Sequence, residues 1–85
     1  MAYRLFLRPA AERNLRGLPR AILTRVERAI EKLLEEPRPA GCRKLSGFEN
    51  EWRVRVGGYR ILYIIDDAQR EVRIARIAHR REVYR

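Results

Sequence analysis

Three arginines flank two adjacent glycines in the run Trp52-Arg53-Val54-Arg55-Val56-Gly57-Gly58-Tyr59-Arg60. Trp52, Val54 and Val56 alternate with Arg53 and Arg55, which is strand period. Gly57-Gly58 is a two-residue hairpin signal. If those glycines are the whole loop, Val56 pairs with Tyr59, Arg55 with Arg60 and Val54 with Ile61. Paired residues share a face, and faces alternate along a strand. Arg53, Arg55 and Arg60 then share one face, with Arg55 and Arg60 directly opposed, while Trp52, Val54, Val56 and Ile61 share the other. Like charges opposed across strands are unfavourable, so the pattern points to an external anion. Guanidinium groups stay protonated and grip phosphate oxygens in a planar fork. The competing reading is a solvated arginine face neutralised by Glu49 or Glu51.

Other residues with chemical potential stand alone. Lys44, before the Lys44-Leu45-Ser46-Gly47 turn, reads by itself as a solvated lysine. An unperturbed imidazole has a pKa of ~6.5, so His79 could transfer a proton by its residue type; a single histidine without an evident partner is more often structural. Tyr84 could stack on a base or move a proton, or simply pack on the sheet. Trp52 and Tyr63 fall on the apolar face and read as core. Cys42 has no basic and histidine pair near it in the sequence and reads as inert. There is no Gly-rich phosphate loop and no Ser-His-Asp order.

The chain has 85 residues and reads as a single domain spanning 1–85. Twenty basic residues, eighteen of them Arg, against eleven acidic ones give a net charge of +9 and a pI near 11.0. That charge calls for a polyanion or an acidic protein as partner; an Arg-rich proteome would also produce it. One cysteine and one histidine cannot build a Cys/His zinc cluster, so no metal and no cofactor are expected. No apolar run reaches a membrane span, and residues 1–8 lack the apolar stretch of a secretory signal. The expected compartment is the reducing cytoplasm.

The elements that must position the arginines can be read from periodicity. Residues 2–8 alternate as a strand, with Tyr3, Leu5 and Leu7 opposite Arg4, Phe6 and Arg8. Pro9 opens a short helix that Gly17 and Pro19 limit. Ile22, Val26, Ala29, Ile30, Leu33 and Leu34 form the apolar stripe of a second helix, ended by the loop 37–41. Strands are expected at 42–45, 51–56, 59–65 and 71–78, with a bulge at Ala75-Arg76-Ile77. The order β-α-α-β-β-β-β implies an α+β domain: two N-terminal helices packed on a mainly antiparallel sheet of four to five strands.

The opening strand MAYRLFLRP, the helix pair ending at EEPRPAG, the KLSG turn, the EWRVRVGGYRILY hairpin and the closing IAHRREVYR together resemble the RelE/ParE superfamily, the toxins of type II toxin–antitoxin modules. The resemblance covers nearly the whole chain and favours the RelE-like branch, whose members cut mRNA on the ribosome. It implies catalytic roles for Arg53, Arg55, Arg60, Arg80, Tyr84 and His79, with Arg81 competing for the Arg80 position. It implies RNA or ribosome contacts for Lys44, Arg53, Arg55, Arg60 and Arg81. The expected reaction is metal-independent attack of the 2′-hydroxyl, leaving a 2′,3′-cyclic phosphate. Where the best-known nuclease has lysines, this chain has Arg53 and Arg55, which suit charge stabilisation better than proton transfer. The implied partners are a cognate antitoxin, in a toxin–antitoxin hetero-oligomer, and the ribosome with its mRNA. Two alternatives remain: a ParE-like inhibitor of DNA gyrase, and a catalytically silent regulator with the toxin fold.

Overall fold

The computed structural model describes residues 2–45 and 50–83. A first strand, β1 (Arg4–Leu7), leads into α1 (Pro9–Arg16) and α2 (Arg20–Glu35). Then follow β2 (Arg43–Lys44), β3 (Glu51–Val56), β4 (Tyr59–Asp66), β5 (Glu71–His79) and a short α3 (Arg80–Val83). The sheet order is β1-β5-β4-β3-β2. β1 runs parallel to β5, and every other pairing is antiparallel. β1 and β2 are therefore the two edges, and the helix pair crosses one face of the sheet between them.

Local chemistry explains the helix limits. Pro9 occupies the start of α1, where its missing N–H costs nothing. Gly17 closes that helix, its N–H reaching the carbonyls of Arg13 and Asn14. Val26, Ile30, Leu33 and Leu34 are the buried stripe of α2. They meet Val56, Ile61, Tyr63, Ile65, Val72, Ile74 and Ile77 on the covered face of the sheet. Tyr63 is fully buried, and its hydroxyl donates to the Pro37 carbonyl at 2.7 Å, tying β4 to the loop after α2. Burial pushes its phenol well above the ordinary range, with the Cys42 thiol beside it adding to the effect.

The hairpin register follows the sequence pattern: Val56 pairs with Tyr59, Arg55 with Arg60 and Val54 with Ile61. The expected bulge is also present. Leu62 pairs with Arg76 but Tyr63 with Ile74, which leaves Ala75 as the extra residue. The polar tail carries no periodicity that points to the helical turn α3. The Arg81 N–H donates to His79 Nδ1 at 3.3 Å, a side-chain cap that a pattern search for Ser, Thr, Asn or Asp does not detect.

Candidate nucleic-acid interface

The face of the sheet turned away from α1 and α2 carries the arginines. Register and alternation arrange them in rows across the strands. One row reads Arg43–Arg53–Leu62–Arg76, and the next, toward the hairpin turn, reads Arg55–Arg60–Ala78. Arg53, Arg55 and Arg60 are thus together, as the sequence requires. Two further cations join them. The bulge at Ala75 shifts the alternation of β5 and brings Arg76 to this face. Arg43 arrives because β2 pairs it with Arg53, a register that no periodicity in the sequence specifies.

The surprise is Arg60. A face read as solvent-exposed holds this guanidinium at 5% exposure, the buried charged residue among those described. Arg60 sits on β4, the central strand, with Arg55 on one side and Ala78 on the other, and α3 rests against β4 and β5. Its Nη1 reaches the Tyr59 carbonyl at a long 3.4 Å. Its Nε is buried without a hydrogen-bond partner among the described residues. No salt bridge joins Arg43, Arg55 or Arg60 to a described carboxylate. A buried, unpaired charge costs several kcal/mol, on the order of the penalty for desolvating one ion. An anion that accepts from Nε and the remaining N–H groups offsets that cost.

The other residues singled out in the sequence are distributed differently. Lys44 pairs with Trp52 and so stands on the opposite face from the arginines; Arg43 occupies the neighbouring position instead. His79 pairs with Tyr59, also on the helix side, and its ring meets Tyr59 edge-on at 5.3 Å. Together with Arg13, Asn14 and Leu18 it lines a shallow hollow by the end of α1. It is not brought to the arginine face. Arg80 and Arg81 are exposed at the start of α3, and the Arg80 N–H donates to the Gly58 carbonyl at 2.8 Å, which fixes this end of the chain to the hairpin turn. Tyr84, like Ser46 and Gly47 of the KLSG turn, lies outside the described residues. Among the described residues no cluster of His, Cys, Asp or Glu could hold a metal ion. No described helix is long and apolar enough to cross a membrane.

The far end of the same face has another character. There Arg4 approaches Glu71 at 3.2 Å, and Arg73 lies 3.0 Å from Glu71 and 3.9 Å from Asp66. Beside it, Arg38 binds Asp67 at 2.8 Å and lies over the Trp52 ring, 5.1 Å from its centre. The Tyr3 hydroxyl donates to the same Asp67 at 2.7 Å. The Arg38 guanidinium first, and Tyr3 second, hold the Asp67 carboxyl below the ordinary carboxylate range.

Helix pair, five-stranded mixed sheet and basic open face define a RelE-like toxin fold. The family model for the ParE toxin of type II toxin–antitoxin systems matches residues 5–84. The chain belongs to that family. It is 37% identical over 86 residues to toxin RelG of Mycobacterium tuberculosis, an alignment covering 100% of this chain and 99% of that protein. It is 34% identical to toxin RelE of the same organism, covering 98% and 87%. Among solved structures, it superposes on the RelE–RelB complex of the archaeon Pyrococcus horikoshii with a TM-score of 0.84 at 27% identity, covering 94% of this chain and 97% of that one.

Proposed function

We propose that this type II toxin is a ribosome-dependent endoribonuclease that cuts mRNA without a metal ion. The observation that carries the reading is Arg60: a guanidinium buried at 5% exposure, with an unpartnered Nε, directly opposed by Arg55. Arg60 and Arg55 hold the non-bridging oxygens of the scissile phosphate and stabilise the extra charge of the transition state. The RNA supplies its own nucleophile. The 2′-oxygen attacks phosphorus as its proton leaves, the bond to the 5′-oxygen breaks, and that oxygen takes up a proton. The products are a 2′,3′-cyclic phosphate and a 5′-hydroxyl.

Proton transfer is assigned to Tyr84, the residue that the resemblance to RelE-type nucleases implies for it; a phenol beside guanidinium groups is a stronger acid than a free one. His79, facing the helix side, holds the first turn of α3 and so positions Arg80 and Arg81. Arg43, Arg53 and Arg76 extend the cationic surface along the RNA, and the net charge of +9 serves docking to the ribosome. An antitoxin is the cellular partner, as RelB is of RelE in the complexes from Pyrococcus horikoshii and Escherichia coli.

The matching family is described as the ParE toxin, and the resemblance to ParE-like gyrase inhibitors gives a second reading, in which the chain binds DNA gyrase and cuts nothing. Two assays separate them. Ribosomes programmed with a defined mRNA should yield cleaved message with 2′,3′-cyclic phosphate ends, while gyrase supercoiling proceeds unchanged. Intact mRNA together with blocked supercoiling would establish the gyrase reading and end the nuclease one.

A further inference from the structure

β5 has a strand on its β1 side for only part of its length. Parallel pairing with β1 runs from Glu71 to Ile74, and the Arg8 N–H, just beyond it, donates to the Ile74 carbonyl at 3.0 Å. From there toward His79 the element packed on that side is α1. The interior of a helix offers no backbone acceptor to a strand edge, since its carbonyls are used within it. One side chain answers instead: the Asn14 Oδ1 accepts from the Ile77 N–H at 3.0 Å. Ile77 is buried, so this donor would otherwise lack a partner. Asn is a poor residue for a helix interior, because its amide competes for backbone groups. In α1 it gains a use by reaching out of the helix.

The bond also selects a register. The carbonyls of Arg70 and Ile74 turn toward β1, where they accept from Arg4 and Arg8. Strict alternation would make Arg76 the next residue to present its backbone groups on that side. The bulge at Ala75 interrupts the alternation: Arg76 and Ala78 pair with Leu62 and Arg60, and the N–H that turns to α1 belongs to Ile77. Asn14 thus bonds to a donor that only the bulged strand places there. The same shift sorts the side chains. Arg76 and Ala78 go to the arginine face, and Ile77 goes to the core. Ala78 puts only a methyl group beside the buried Arg60. In an unbulged strand Arg76 would point under the helices and Ile77 would stand among the arginines.

We propose that Asn14 is a positioning residue for the arginine face, acting from the opposite side of the sheet: its carboxamide holds the bulged register of β5, and with it Arg76 beside Leu62 and Ala78 beside Arg60. Burial of Ile77 favours the same register, so loss of Asn14 loosens the bulge without inverting the strand. The loosening is felt at Arg60, which lies on β4 between β3 and β5, and where a small displacement spoils the fit to a phosphate. Asn14 itself lies on the helix side and touches no substrate. Its effect on cleavage rests on the phosphate reading of Arg55 and Arg60; its hold on the bulge does not.

The test compares variants that differ in the acceptor. Asn14→Leu keeps the volume and removes it, and Asn14→Asp keeps an acceptor oxygen. Asn14→Ser, polar but too short to reach Ile77, takes the place of Asn14→Leu should the apolar variant not fold. Without the acceptor, hydrogen exchange of the Ile77 amide should speed up by about tenfold, the scale of one lost hydrogen bond, while the Val72 and Ile65 amides stay unchanged. The Nε–H resonance of Arg60 should shift, and that of Arg73, held by Glu71 at the other end of the face, should not. Single-turnover mRNA cleavage on saturating ribosomes should fall by about ten- to a hundredfold through misplacement of the clamp, with ribosome affinity little changed. Asn14→Asp should restore amide protection, resonance and cleavage together. An Ile77 amide still protected without the acceptor, equal acceleration at Val72 and Ile65, or no rescue by Asn14→Asp overturns the hold on the bulge. Full cleavage by a variant whose Ile77 amide is unprotected overturns the positioning role. A wild-type chain that cuts no mRNA, with Ile77 and the Arg60 resonance still answering to Asn14, removes the nuclease reading and leaves the hold on the bulge in place.

Discussion

The open face of the sheet has two ends built from the same side chains. Near the β4–β5 turn, Arg4 and Arg73 stand against Glu71 and Asp66 at 3.0 to 3.9 Å. Near the hairpin, Arg55 stands against Arg60, and Arg60 carries an Nε with no described partner. At the turn end the arginines are partly exposed and their charges are answered within the chain. At the hairpin end one arginine is buried, and no salt bridge from a described carboxylate answers its charge. The first arrangement contributes weakly to stability, as surface pairs do. The second opposes stability unless an anion answers the charge, and the phosphate of the proposed substrate is such an anion. An arginine's role is thus read from its burial and partners, not from its type.

The sharpest way to break that contrast is Arg60→Met. Removing a phosphate clamp should slow single-turnover mRNA cleavage on ribosomes by about a hundred- to a thousandfold. The same change should leave the free protein as stable or raise its stability by about 1–4 kcal/mol, as when a buried charge gives way to an apolar side chain of similar volume. Activity and denaturant unfolding measured on one preparation check both halves. A clear loss of stability would mean that the buried guanidinium is satisfied inside the chain, and the two ends would no longer differ.

Arg55 is exposed, and its substitution should act on binding and chemistry with little change in stability. Arg55→Ala should reduce cleavage by about ten- to a hundredfold. Arg55→Lys should recover most of the loss if charge alone is needed, and little if a bidentate contact is made. RNA affinity should fall steeply with salt, and the log–log slope should become shallower by about one unit per phosphate contact removed. A slope unchanged by Arg55→Ala would place the RNA elsewhere.

How much of this was legible beforehand depends on how local each signal is. The hairpin register, and with it the Arg55–Arg60 opposition, follows from two glycines and a strict alternation over a few residues. The bulge at Ala75 also left a trace, as a break in the apolar pattern of β5, although its consequence for Arg76 needs the strand's neighbours. The parallel pairing of β1 with β5 joins residues far apart in sequence, and no periodicity specifies it. Arg43 joins the cluster through the β2–β3 register, which the sequence pattern does not specify either, while Lys44, one residue on, goes to the other face. His79 suggests a proton carrier by its type alone, but its pairing with Tyr59 sends it to the helix side. The burial of Arg60 depends on its central position between β3 and β5, which a one-dimensional pattern does not reveal.

At the turn end, Arg73→Gln removes the contacts to Glu71 and Asp66. Because Arg73 is partly exposed, stability should fall by less than about 1 kcal/mol, and cleavage should stay within about twofold of wild type. A large loss of cleavage would show that the functional surface runs the length of the face, merging the two ends into one.

The smallest effect belongs to Asp67, which joins Arg38 from the loop after α2 and Tyr3 before β1. Its pKa in the folded chain is lowered, with the Arg38 contact the largest cause. A carboxyl with a depressed folded pKa binds protons less readily in the native state than in the unfolded one. Its stabilising contribution is therefore present above the ordinary carboxylate range and is lost as pH falls through the folded value. Asp67→Asn should lower thermal stability slightly at neutral pH. Wild type and variant should converge once the carboxyl is protonated in both states. The acid limb of the stability profile should accordingly be shallower in the variant. Because the carboxylate is exposed, added salt should shrink the difference at neutral pH. A gap between the two proteins that persists unchanged at low pH would mean that the Asn side chain disturbs the turn by its shape, and that the charge of Asp67 plays no part in holding it.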